Sequence, residues 1–268
     1  MNLPLQVMLK TIDWWLAMPR RSRELSESGY YHVVLRGAGK MIIFEERGDY
    51  QAFLSLLVNR AVERNVAIIA YCLMSNHVHL VLRDDGRNLS DFMHSLATAY
   101  AKRFNERNCH VGPVFQGRFY SVPLESDEHL LEAVRYVHQN PYKARISTID
   151  GYEWSSYREY IRRAKIVETS TVKGMFNSIK AFSRFMRTPG SSYRLPAIEK
   201  VSLTDQDAAQ LMRDSLTREE IKALSGDSRM MRNSALRKLR DVGIGISQAA
   251  RLTGIGRNIV SKAFAESQ

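Results

Sequence analysis

Residues 66–83, VAIIAYCLMSNHVHLVLR, constrain the fold of this chain more than any other stretch. Two β-branched and aromatic runs, 66–73 and 78–83, are separated only by MSNH, which makes them an adjacent antiparallel pair. The flanking sequence supplies the rest of the pattern. GYYHVVLR (29–36) reads as a strand, broken by Gly37 and Gly39. Residues 47–65 repeat apolar side chains at Phe53, Leu54, Leu57, Val58, Ala61 and Val62, which is helical spacing. A second helix is predicted over 89–107 with Ser90 as its cap, and a fourth strand around 119–124. A third helix is predicted over 126–139, stopped by Asn140-Pro141. The order β-α-β-β-α-β-α predicts an α+β fold, a ferredoxin-like antiparallel sheet with helices on one face.

The C-terminal third differs. Residues 161–202 include TPGSSYRLP and read as a linker with at most one short helix, while 203–268 read as a small all-α domain. Within that domain, IGISQAARLTGIGRNIVSKAF (244–264) has the pattern of a helix-turn-helix. Ala249, Ala250 and Leu252 would pack the first helix, Gly254 would make the turn, and Ile259 and Val260 would anchor the second. Arg257, Asn258, Ser261 and Lys262 would then face a DNA major groove. A small helical packing module is the plainer alternative. At the other end, Met18 opens MPRRSR and offers an alternative start, which leaves 1–17 as an N-terminal extension outside the fold.

Charge narrows the class of partner. The chain has 39 Lys+Arg against 28 Asp+Glu, a net +11. Such an excess suits a polyanion, because each cation set against a phosphate releases condensed counterions. No apolar run approaches the ~18 residues needed to span a bilayer, so no membrane role is expected. Cys72 and Cys109 lie far apart and outside any CxxC, which excludes a disulfide framework and fits a reducing cytoplasm.

Chemistry concentrates in two places. In Asn76-His77-Val78-His79-Leu80, the two histidines are two apart on a strand and project from one face, where both can bind one divalent ion. For a bare His-x-His, two ordinary hydrogen-bonded histidines are the commoner case. The predicted third helix carries Tyr136, followed by Val137-His138-Gln139-Asn140-Pro141. A tyrosine facing a metal is a nucleophile for phosphoryl transfer, since the metal polarises the phosphate and a nearby cation favours the phenolate. Alone, Tyr136 reads as a core residue beside Leu130, Leu131, Val134 and Val137. Asn140, one turn on, offers an oxygen as third ligand, or else simply ends the helix, whereas His138 is offset to another side. Gln116, Gly117, Arg118 and Phe119 combine hydrogen bonding, flexibility, charge and stacking, which suits single-strand binding, with an ordinary basic turn as the equal alternative. Tyr120 is a rival nucleophile with no helix to aim it.

These strings together resemble the REP-associated tyrosine transposases of the single-tyrosine HUH superfamily. The resemblance rests on MPRRSR (18–23), GYYHVVLRG (29–37), FEERGDYQAFL (44–54), YCLMSNHVHLVL (71–82), GPVFQGRFYS (112–121) and LLEAVRYVHQNPYKARI (130–146). It covers about 18–160, the expected catalytic domain, and implies an HUH-nuclease fold in which the His-x-His strand and the tyrosine helix meet at one metal. His77 and His79 match the metal ligands and Tyr136 the nucleophile. Where related insertion-sequence transposases carry Gln as third ligand, this chain has Asn140. The implied activity is cleavage and rejoining of single-stranded or hairpin DNA through a 5′-phosphotyrosine, with Mg²⁺ or Mn²⁺. The protein would work as a monomer or homodimer, with duplex DNA bound by its C-terminal domain. Two other readings are a DNA-binding regulator on the same fold without catalysis, and a metal-dependent hydrolase of small phosphodiesters.

Overall fold

The structure is a computed structural model that describes residues 24–188, 193, 203–226 and 228–265. The proposed extension 1–17 and the MPRRSR string lie outside the described residues. The strands are β1 (Tyr30–Arg36), β2 (Ala67–Met74), β3 (His77–Arg83) and β4 (Tyr120–Pro123), joined in one sheet in the order β2-β3-β1-β4. Every pairing is antiparallel. The α+β expectation therefore holds, and this strand order is the ferredoxin-like one. β1 and β2 run parallel with β3 between them, so α1 (Arg47–Arg64) must cross over to join them. The second crossover, from β3 to β4, is made by α2 (Leu89–Asn108). Right-handed crossovers place both helices on one face of the sheet, and α1 and α2 pack on each other there.

Local chemistry fixes these helices. Glu46 and Asp49 form a capping box at the start of α1. For α2 the expected cap at Ser90 is replaced: the helix begins at Leu89, whose N–H is bonded to the Asp84 carboxylate at 2.7 Å. Asp84 reaches back from the end of β3 and satisfies a first-turn donor that Ser90, already inside the helix, cannot. α3 (Asp127–Lys143) starts at Ser126, whose hydroxyl accepts from the His129 N–H. It does not stop at Asn140. Pro141 lies within the last turn, where its missing N–H costs one hydrogen bond, and the helix continues to Lys143. α3 packs against β2 and β3 on the sheet face opposite α1 and α2.

The stretch expected as a linker is structured through Arg187. α4 (Tyr157–Ile161), α5 (Ser170–Gly174) and α6 (Ile179–Arg187) carry Tyr157, Tyr160, Val172, Phe182 and Met186 into the same core as the sheet. Tyr160 and Phe182 stack with ring centroids 4.9 Å apart. That aromatic packing has no helical or strand periodicity to announce it. Residues 203–265 form a separate helical unit: α7 (Asp205–Ser215), α8 (Arg218–Leu224), α9 (Arg229–Asp241), α10 (Ile246–Thr253) and α11 (Arg257–Ala265). Leu236, Leu239, Ala249, Val260 and Ala263 fill its own core. Ile259, expected as an anchor, is instead exposed, because Val260 and Ala263 define the inward side of α11.

Candidate active site

In an antiparallel pair, opposed residues share a face. Val34 on β1 and Cys72 on β2 oppose His79, and Arg36 and Met74 oppose His77. Both histidines thus rise from one side of the central strands, with rings 4.9 Å apart at 87°. α3 lies across that side and brings Tyr136 against Val34 and the histidines. The Tyr136 ring is 5.5 Å from His79 and 5.7 Å from His32, edge-on to both. Tyr120 opposes Val34 on β4, so the rival tyrosine also reaches this face, at its edge and more exposed.

The imidazoles are held at Nδ1. His77 Nδ1 is 2.8 Å from the Asn76 Oδ1, and His79 Nδ1 is 3.1 Å from His32 Nε2. His32 Nδ1 in turn lies 2.8 Å from the Tyr193 hydroxyl. Burial pushes His32 and His77 down to about 3, His77 being further opposed by Arg36. His79 is also held well below its usual value, by burial and then by His77, His32 and Lys143. Neutral rings anchored through Nδ1 are the form in which histidine binds a metal through Nε2. Among the described residues no cluster of three His, Cys, Asp or Glu side chains is placed to hold a metal. Asn140 stands one turn after Tyr136 on the same side of α3. Its Nδ2 donates to the Tyr136 carbonyl at 2.9 Å, a bond in which Oδ1 takes no part.

Because α3 continues past Pro141, Lys143 falls two turns after Tyr136 on the same side, with its Nζ 4.5 Å from the Tyr136 ring centroid. His138 turns away, bonded to the Ser156 hydroxyl at 2.9 Å and enclosed by Tyr157 and Tyr160. Gln139 ties α3 to the end of α6, donating to the Met186 and Thr188 carbonyls, each at 2.8 Å.

The other candidates lie outside this cluster. Gln116 and Arg118 are exposed on the loop before β4, and Phe119 is half-buried against the core. Gly117 takes a φ of +66°, which tightens the turn there. Arg257, Asn258, Ser261 and Lys262 are all exposed along one side of α11, and Gly254, at φ +71°, ends α10. Sequence reasoning missed three residues of the cluster: His32, Tyr193 and Lys143. His32 alternates in phase with Val34, and that period was the available signal. Lys143 was hidden behind the helix stop assigned to Pro141, and Tyr193 lies in sequence with no pattern of its own.

Comparison with known proteins agrees with this architecture. Residues 26–140 match the family described as transposase IS200-like. A solved REP-associated tyrosine transposase bound to a REP hairpin aligns over 69% of this chain and 100% of its own, at 15% identity and a TM-score of 0.51. A candidate transposase from Deinococcus radiodurans R1 aligns over 42% of this chain and 91% of its own, at 16% identity and a TM-score of 0.33, too low to carry an argument. No curated protein sequence matches significantly. Residues 26–140 are thus similar to the IS200-like transposase family, and the fold is that of the solved REP-associated tyrosine transposase.

Proposed function

We propose that the protein cleaves and rejoins single-stranded DNA at a hairpin or repeat, with Tyr136 as nucleophile. The observation that carries this is the approach of Tyr136 on α3 to His79 on β3, edge to ring at 5.5 Å, inside a face that also holds His77. Tyr136 Oη attacks the scissile phosphorus and gives up its proton to solvent. The bond to the 3′ oxygen breaks, and that oxygen takes up a proton and leaves as a free hydroxyl. DNA stays attached to Tyr136 through its 5′ phosphate until another 3′ hydroxyl attacks and releases the tyrosine. The phosphodiester count is unchanged throughout, so no external energy source is needed.

Lys143 favours the phenolate and so assists the attack. His77 and His79, with Asn140 as third donor, would hold a divalent ion, Mg²⁺ or Mn²⁺, which when bound polarises the scissile phosphate. Gln116, Arg118 and Phe119 would grip the single strand beside β4. The exposed side of α11, with Arg257, Asn258, Ser261 and Lys262, would read duplex DNA next to the cleavage point, so that 24–188 cuts while 203–265 anchors. The protein would act in the cytoplasm, where DNA is accessible, as a monomer or homodimer.

The test is incubation with 5′- or 3′-labelled hairpin oligonucleotides from the flanking genomic sequence, with Mn²⁺ or with chelator. A covalent adduct that carries the 5′ phosphate, requires metal and is absent from Tyr136→Phe is the expected result. Tight hairpin binding with no adduct would leave a DNA-binding regulator instead.

A further inference from the structure

His32 is fully buried and takes no part in the chemistry just described, yet it bridges two site elements. Its Nε2 is 3.1 Å from His79 Nδ1, and its Nδ1 is 2.8 Å from the Tyr193 hydroxyl. Its ring also stacks on Tyr193, with centroids 5.8 Å apart at 16°. A neutral imidazole donates from one nitrogen and accepts at the other, so this chain of three groups has two settings. In one, His79 donates from Nδ1 to His32, and His32 donates to the tyrosine oxygen. His79 then presents a bare Nε2. In the other, Tyr193 donates to His32 and His32 donates to His79 Nδ1, so the His79 proton sits on Nε2 and blocks a metal. His77 has no such ambiguity, because its Nδ1 meets the Asn76 side-chain oxygen, an acceptor only.

We propose that His32, itself held by Tyr193, is a positioning residue that fixes His79 as the Nδ1–H tautomer and keeps its Nε2 open to the metal. The inference rests on His79 being a metal ligand, but the tautomer it predicts exists with or without metal. β1 supplies the rigidity: His32 and Val34 lie on the same strand, and Val34 is the register partner of His79. The imidazole of His32 is therefore set one pleat away from the ring it orients. Tyr193 carries the arrangement to a part of the chain far from the motif strands. Its oxygen, 2.8 Å from His32 Nδ1, is the acceptor that the proposed setting requires there.

Two measurements on the full-length protein decide the matter. Long-range ¹H–¹⁵N spectra of the metal-free imidazoles should show His79 protonated at Nδ1, and Tyr193→Phe, which removes only a hydroxyl, should move His79 toward the Nε2–H form. A wild-type His79 protonated at Nε2 overturns the proposal, and so does a tautomer unmoved in Tyr193→Phe. Mn²⁺ binding followed by EPR in the absence of DNA is the second measurement. His32→Leu should bind about 10–100-fold more weakly, the usual loss when the outer partner of a ligating histidine is removed. His32→Gln, whose side-chain oxygen can accept from Nδ1, should recover most of that loss. Mn²⁺ affinity unchanged in His32→Leu, while His79→Ala abolishes binding, also overturns it. Failure of the wild type to bind Mn²⁺ would sink the metal reading instead, and the ¹⁵N result would still decide the tautomer.

Discussion

Replacing Lys143 with Met keeps length and apolar stem while removing the charge over the Tyr136 ring. An ammonium 4.5 Å from the ring centroid stands roughly 5 Å from the phenolic oxygen. At an effective dielectric of about 20 the attraction for a phenolate is about 3 kcal/mol, and at that of water about 1 kcal/mol. Lys143 is exposed, so solvent screening moves the answer toward the lower figure. We therefore expect about a tenfold slower adduct formation at neutral pH, since 1.4 kcal/mol is a factor of ten. The sign is specific. Without the cation the phenolate is harder to form, so the rising limb of the pH–rate profile moves up by about one unit, and activity returns as pH is raised. Lys143→Arg should keep the wild-type limb. The assay is single-turnover formation of the covalent protein–DNA adduct from pH 6 to 10 with saturating hairpin substrate. A rate unchanged in Lys143→Met, or a loss that raising the pH does not recover, would refute the electrostatic role.

Other expectations are as direct. His77→Ala or His79→Ala should abolish cleavage with far-UV dichroism unchanged, and full activity in either would remove the metal assignment. In mass spectra of the trapped complex, the nucleotide should sit on Tyr136 and persist in Tyr120→Phe; its appearance on Tyr120 would reverse the two tyrosines. Arg257→Ala with Lys262→Ala should weaken duplex binding and lower its salt slope by about two, while a slope left intact would mean that α11 does not touch phosphates. Acid should destabilise the fold through His32, His77, His79 and His138, all depressed by burial. Their folded values lie below the unfolded 6.5, so this stability is complete above pH 6.5 and is lost as pH falls toward 3. The slope is about 1.4 kcal/mol per pH unit for each histidine. Denaturant melts at pH 6.5 and 5.5 that coincide would contradict it.

The sheet was legible because its signal is local. Strand runs, a four-residue connection and two amphipathic helices leave little freedom in strand order. His77, His79 and Tyr136 were legible because two of them share a period-2 strand and the third sits in a recognisable string. The misreadings have one source, the use of local rules where tertiary contacts decide. Asn140-Pro141 reads as a helix stop, yet a proline in the last turn gives up a single bond and α3 runs on to Lys143. The segment before residue 188 looked like a linker because five-residue helices have no measurable period, yet Val172, Phe182 and Met186 are buried in the main core. A fragment ending at 165 would therefore lose four buried side chains, Val167 among them. At about 2–5 kcal/mol each, that approaches or exceeds the whole stability of a typical domain. The folded unit that carries the candidate site therefore includes residues through Met186.

The strand that carries the histidines is paired along both edges, to β1 and to β2, over its whole length. The helix that carries the tyrosine is joined to the sheet by side-chain packing, without a single ladder hydrogen bond. The two halves of the site thus differ in how readily they open. Amides of β3 should exchange with solvent only on global unfolding, whereas the last turn of α3, loosened by Pro141, should exchange through local opening. A change that silences this site without unfolding the protein is therefore expected to act through the last turn of α3, while the histidine pair on β3 stays where it is.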